Sequence, residues 1–97
     1  MEKMLYLNSL FDIYKDLLTE KQQRYFMDYY FNNLSLAEIA DNYSVSRNAI
    51  FNQLKIIENK LNFYEKKLKI YDKKLKINDI IELIDNKEVK KVLASLF

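Results

Sequence analysis

The stretch Ser35-Leu36-Ala37-Glu38-Ile39-Ala40-Asp41-Asn42-Tyr43-Ser44-Val45-Ser46-Arg47-Asn48-Ala49-Ile50-Phe51-Asn52-Gln53-Leu54-Lys55 decides how this chain is read. Ser35 and Glu38 have capping-box spacing immediately before Ile39 and Ala40, so a helix begins at about Leu36. It is short, because Asn42-Tyr43-Ser44 reads as a turn by about residue 43. Ser46 is then placed to cap a second helix, with Ala49 and Ile50 as its first buried positions. Ala40 falls where the two helices cross most closely, which demands a small side chain. Ile39, Tyr43, Val45, Ile50 and Leu54 supply the buried contacts. A joint this tight usually places Gly in the turn; here the position holds Ser44, or Asn42 if the turn is displaced. Asn tolerates a left-handed backbone, and Ser does so less easily.

Working outward, every other segment also has helical rather than strand periodicity. Toward the N-terminus, a helix over about residues 3–17 puts Leu7, Leu10, Phe11, Tyr14, Leu17 and Leu18 on one face. Thr19-Glu20-Lys21-Gln22 fits a capping box for a helix over roughly 20–31, whose Tyr25, Phe26, Tyr29 and Tyr30 read as core. Asn32-Asn33 breaks it. Toward the C-terminus, Ile50, Leu54, Ile57, Leu61, Tyr64, Leu68, Tyr71 and Leu75 recur in alternating steps of four and three. A stripe with that 3.5-residue period predicts one long helix packed against a partner helix. The favoured partner is a second subunit, making Leu54, Ile57, Leu61, Tyr64 and Leu68 a dimer seam; the alternative is cover by helices of the same chain. Asn78 and Asn86 read as caps of two short terminal helices carrying Ile80, Ile81, Ile84 and then Val89, Val92, Leu93, Leu96. The expected architecture is all-α: one domain with a core over 19–58, a helical extension over 59–76 and terminal helices over 78–97.

Composition narrows the chemistry. The 97 residues include no Cys, His, Gly, Pro or Trp. A thiolate nucleophile, an imidazole base, a zinc site of the usual ligands and a glycine-rich phosphate loop are therefore all unavailable. Carboxylates such as Glu38, Asp41, Glu58 and Glu65 do not converge with an activated partner by spacing, and Glu38 is explained as the capping acid. An enzyme, a metal and a cofactor are not expected. The missing Gly and Pro, with 14 Lys against two Arg, are also what A/T-rich coding would give. No apolar run approaches the ~18 residues of a membrane span and no signal-peptide pattern opens the sequence, so the expectation is a cytoplasmic protein.

Net charge is only +2, but it is unevenly spread. Residues 1–46 carry four Lys/Arg against seven Asp/Glu, residues 47–76 nine against three, and residues 77–97 three against four. A basic middle between mildly acidic ends is the footprint expected for a polyanion, although a solvated Lys-rich helix face gives the same tally. Two short helices joined tightly are the requirement of a helix-turn-helix, and the second helix opens with Ser46, Arg47, Asn48, Phe51, Asn52 and Lys55 at exposed positions. Arg clamps guanine O6/N7, Asn pairs with the adenine edge, Phe meets a thymine methyl, and Lys with the helix N-terminus holds phosphate.

The combination of Thr19-Glu20-Lys21-Gln22, Tyr29-Tyr30, Leu34-Ser35-Leu36-Ala37-Glu38-Ile39-Ala40 and Val45-Ser46-Arg47-Asn48-Ala49-Ile50-Phe51-Asn52 closely resembles the YlxM-like family. These small bacterial proteins are similar to the promoter-reading helix-turn-helix region of sigma factors, and the resemblance covers about residues 5–70. It implies that Ser46 and Arg47 open the recognition helix, and that the protein has a link with the signal recognition particle. The leading expectation is a homodimeric regulator that reads duplex DNA. The alternative is an accessory factor contacting signal recognition particle RNA or its GTPase, with Lys66, Lys67, Lys69, Lys73, Lys74 and Lys76 tracking phosphates of structured RNA. A third reading is a purely helical assembly piece.

Overall fold

The computed structural model describes residues 1–96. Among them it places six α-helices and no strand: α1 (Glu2–Tyr14), α2 (Glu20–Tyr30), α3 (Leu36–Tyr43), α4 (Arg47–Leu68), α5 (Ile70–Glu82) and α6 (Lys87–Ala94). None of these helices is long and apolar enough to cross a membrane.

The first four helices share one core. On α1, Leu7, Leu10, Phe11 and Tyr14 repeat at three- and four-residue steps and are all buried. At Tyr14 the backbone leaves the helix, and Lys15–Leu17 tightens into one 3-10 turn. Leu18, extended at φ −97° and ψ 155°, takes the buried position while Leu17 turns to solvent, so the expected continuous helix to residue 17 stops short. Thr19 then caps α2 by the complete box: its hydroxyl accepts the Gln22 N–H at 3.1 Å, and the Gln22 side chain accepts the Thr19 N–H at 3.2 Å. The α2 face that meets α1 carries Tyr25 and Phe26, and the Phe26 ring stacks on Phe11 with 4.3 Å between centroids. Tyr30 is half-buried, whereas Tyr29, read from the sequence as core, is exposed.

At the centre of this unit α4 packs against α1, α2 and α3. Its buried side chains are Ile50, Leu54, Ile57, Leu61 and Glu65. Their steps of four, three, four and four follow the drift of a straight α-helix rather than a 3.5-residue seam. Leu54, Ile57 and Leu61 are sealed within the chain's own core, the last two at 0 % exposure, so they do not face a second subunit. Tyr64 is half-buried and donates its hydroxyl to the Leu17 carbonyl at 3.2 Å, and Leu68 is exposed.

The long helix expected to reach residue 75 also ends early. Lys69 is left-handed (φ 55°, ψ 33°) and separates α4 from α5 by a single residue. A buried polar joint explains the break. The Glu65 carboxylate accepts the Tyr14 hydroxyl at 2.6 Å and the backbone N–H groups of Tyr71 and Asp72 at 3.0 and 3.1 Å, which caps α5 from the preceding helix. Tyr14 Oη in turn accepts the Ile70 N–H at 3.2 Å. Asn78 therefore lies inside α5 rather than capping it. Asn86 does cap α6, accepting the N–H groups of Glu88 and Val89 at 2.9 and 3.1 Å. The molecule measures 54 × 25 × 23 Å.

Candidate nucleic-acid interface

The geometry of the interface starts with the turn between α3 and α4. Ser35 and Glu38 form both bonds of their box, each at 3.1 Å, and fix the start of α3. Those Ser35 contacts hold the Glu38 carboxyl below its usual range, so the acid is committed to the helix start. The other end of α3 is tied to α2: Tyr43 donates its hydroxyl to Asp28 at 3.3 Å and sets its ring edge-on to Tyr25. Burial, with the Asp28 charge behind it, pushes the Tyr43 phenol up.

Ser44 then takes the left-handed conformation (φ 55°, ψ 44°), so the turn is not displaced to Asn42. The N–H of Val45 reaches the Ala40 carbonyl at 3.0 Å and that of Ser44 reaches Asp41 at 3.3 Å. This is a Schellman ending with Ser at the site where Gly is commonest. It reverses the chain within two residues. Ser46, extended at φ −79° and ψ 156°, caps α4 by accepting the Ala49 N–H at 3.0 Å. Ile39 and Ala40 of α3 are buried where it meets Ile50 and Leu54 of α4, while Val45 stays partly open at 37 % exposure.

The first turns of α4 carry the six residues singled out in the sequence, and Ser46, Arg47, Asn48, Phe51, Asn52 and Lys55 are all exposed. Arg47, Phe51 and Lys55 follow one another at four-residue steps, and Asn48 and Asn52 form the adjacent row. The Lys55 ammonium stands 5.8 Å from the Phe51 ring centroid, a cation–π contact that orients both. Arg47 borders two shallow hollows. One is shared with Leu36, Ser46, Asn48 and Phe51, the other with Tyr29, Ser35 and Ala37, so its guanidinium lies between the starts of α3 and α4. From Asn42 to Ile57 the chain carries no carboxylate. Phe51 has a second role: with Met4, Leu7, Tyr30, Leu36 and Leu54 it walls an apolar groove beside the helix.

That groove ends in a contact the sequence did not disclose. Tyr30 donates its hydroxyl to Glu58, and Lys3 lies 3.8 Å from the other oxygen of the carboxylate. Burial, then the bond to Glu58, raises the Tyr30 phenol well above the tyrosine range, so Tyr30 remains a proton donor. The partners are 28 positions apart and on different helices, and no local spacing links them. Six Lys of the second basic stretch, from Lys66 to Lys76, flank the α4–α5 joint and are exposed.

Comparison with known proteins places residues 1–95 within a family described as "Putative helix-turn-helix protein, YlxM / p13 like" (UPF0122). Over 58 residues the chain is 50% identical to a UPF0122 protein of Shouchella clausii, 47% to one of Halalkalibacterium halodurans and 48% to one of Bacillus pumilus. Each alignment covers 60% of this chain and 53% of the relative, so the match spans about half the length of these relatives.

Proposed function

Taking as premise that the chain belongs to the YlxM/p13-like helix-turn-helix family, we propose that it is a non-enzymatic regulator that binds duplex DNA through the start of α4. The observation that carries this reading is an exposed, carboxylate-free helix start, capped by Ser46 and held at the end of a two-residue turn. Arg47 and Asn48 are long enough to reach base edges from the first turn. Asn52 continues the row, and Phe51 offers an apolar edge to a thymine methyl. Lys55 and the unpaired N–H groups of the first turn hold phosphates and set the register. The reading places the protein in the cytoplasm, where its target is.

A fluorescence anisotropy titration against duplex DNA at two salt concentrations tests this. Affinity is expected to fall steeply as salt rises, with a log–log slope near −0.9 per neutralised phosphate. Arg47→Ala is expected to weaken binding by about 1–3 kcal/mol and to relax preference at one base pair, while Lys55→Ala should weaken all sequences alike. Absence of salt-dependent duplex affinity at low ionic strength would overturn the reading.

One feature favours a second reading, in which the partner is signal recognition particle RNA or its GTPase. The exposed Lys66, Lys67, Lys69, Lys73, Lys74 and Lys76 lie beyond the recognition turns and suit a phosphate track more than base reading. Charge reversal at Lys66, Lys67 and Lys69 separates the two. If only these changes matter, and RNA outcompetes duplex DNA, the regulator reading fails.

A further inference from the structure

Residues 1–46 are on balance acidic, yet the fold carries one of their four cations to the edge of α4. Lys21, in the first turn of α2, lines a hollow with Thr19, Gln22, Ala49, Asn52 and Gln53, and no carboxylate lines it. Glu20, its neighbour in the chain, is turned to Arg24 at 3.6 Å. Among the described residues the exposed Lys21 makes no ion pair. Nor does α2 gain from a cation there, because the helix macrodipole favours acids in the first turn. A second cation stands on the same edge. Lys60 Nζ lies 3.2 Å from Gln22 Oε1, the oxygen that also completes the α2 capping box. Lys60 follows Gln53 by two turns of α4, so the two share one side of that helix.

On the premise of duplex binding through α4, we propose that Lys21 is a further DNA contact, holding a backbone phosphate of one strand at the edge of the groove that Asn48 and Asn52 read. Successive residues of an α-helix are about 100° apart, so Ala49 and Gln53 project to the side of the Asn48–Asn52 row. A helix roughly 10–12 Å across fills a major groove about 12 Å wide. The Asn48–Asn52 row then faces base edges, while the flank carrying Gln53 lies against a sugar–phosphate wall. Lys21 stands on that flank, and Lys60 adds to the positive potential beside it. A phosphate oxygen suits the place, since an ammonium meets it as a point charge and the Gln53 amide offers a neighbouring donor.

Fluorescence anisotropy of the full chain with a mixed-sequence DNA duplex, over a range of salt, tests this contact. Lys21→Ala is expected to weaken binding roughly three- to tenfold at low salt and to make the log–log salt slope shallower by about 0.9, the value of one phosphate. The loss is expected to be alike for every duplex sequence, because phosphate contacts carry no base preference. Lys91→Ala removes the same charge from α6 and is expected to leave affinity nearly unchanged. Gln53→Lys adds a cation to the hollow and is expected to tighten binding and steepen the slope, which no loss of fold can imitate. A parent without salt-dependent duplex affinity overturns the contact together with the reading of α4. A parent that binds, with Lys21→Ala no weaker than Lys91→Ala, overturns the contact alone and leaves α4 as the reader. So does a Lys21→Ala variant whose loss is confined to particular sequences, since Lys21 would then be reading a base.

Discussion

Two parts of this chain meet at Lys69 and are held together by different physics. From Leu7 to Leu61, α1–α4 bury a continuous apolar core in which Leu10, Phe26, Ile39, Ile50, Ile57 and Leu61 reach 0 % exposure. From Ile70 onward α5 and α6 contain no fully buried side chain, and α5 is attached by the Glu65 carboxylate, the Tyr14 hydroxyl and the half-buried Ile70 and Tyr71, which pack against the core. The first turns of α4 grow from the first part, so they are carried by that buried core. The second part is a lightly anchored arm, and stability need not be uniform across the joint.

Truncating one leucine in each part is the strongest way to break that contrast. Leu61→Ala is expected to cost about 2–5 kcal/mol in urea denaturation, since it empties a sealed site beside α1. Leu83→Ala is expected to stay within about 0.5 kcal/mol, since Leu83 is 85 % exposed. Equal effects would mean that the two parts fold as one core. Loss of association with the fold intact in Leu61→Ala would restore the view of Leu61 as a subunit seam.

The same contrast explains what could be read from the sequence. Helix starts were legible wherever a local side chain makes the cap: Thr19 with Gln22, Ser35 with Glu38, Ser46 and Asn86 all mark helix starts at their expected places. The exposure of Ser46 through Lys55 was legible too, because it follows from the same periodicity that buries Ile50 and Leu54. The break at Lys69 was not. Its cap comes from Glu65, whose buried state depends on Tyr14, 51 positions away. Tyr64, Leu68, Tyr71 and Leu75 prolong the apolar stripe across the joint, so periodicity alone argued for one helix. Sequence pattern discloses contacts within a turn or two and is silent about a carboxylate whose partner lies on another helix.

Removing that carboxylate sharpens the comparison. Glu65→Ala is expected to destabilise by about 1–3 kcal/mol, because the Tyr14 hydroxyl and the first N–H groups of α5 lose their acceptor. Hydrogen exchange is expected to rise over α5 and α6 and to change little at Phe26 or Ile39; a uniform rise would show the joint to be part of the global core. Alkaline titration probes the same contact. Burial, reinforced by the bond to Glu65, pushes the Tyr14 phenol up to about 12 from 10.0. A folded-state value above the unfolded one means that the protonated phenol stabilises the fold. That contribution is complete below pH 10 and is lost as pH rises toward about 12. Thermal melts should fall across this window, and Tyr14→Phe should fall less.

The smallest expected effect compares two of the three left-handed joints among the described residues, Ser44 and Lys69, the third being Asn33. Ser44 and Lys69 both sit at φ 55°, where a Cβ crowds the following carbonyl at roughly 1–2 kcal/mol. Replacement by Gly relieves that crowding and concedes part of it to the freer unfolded chain, leaving a net gain of about 0.5–1 kcal/mol. The two gains should be read differently. Ser44 lies inside the core unit and closes the Schellman turn, so Ser44→Gly is expected to raise the global denaturation midpoint. Lys69→Gly stabilises only the seating of α5, so it is expected to slow exchange at Tyr71 and Asp72 while leaving the midpoint nearly unchanged. Ser44→Gly should also leave DNA affinity as it was, because the turn dictates where α4 starts without itself presenting a side chain to the groove. A change in affinity would mean that the Ser44 hydroxyl touches the phosphate backbone, and the interface would then extend one turn earlier than Ser46.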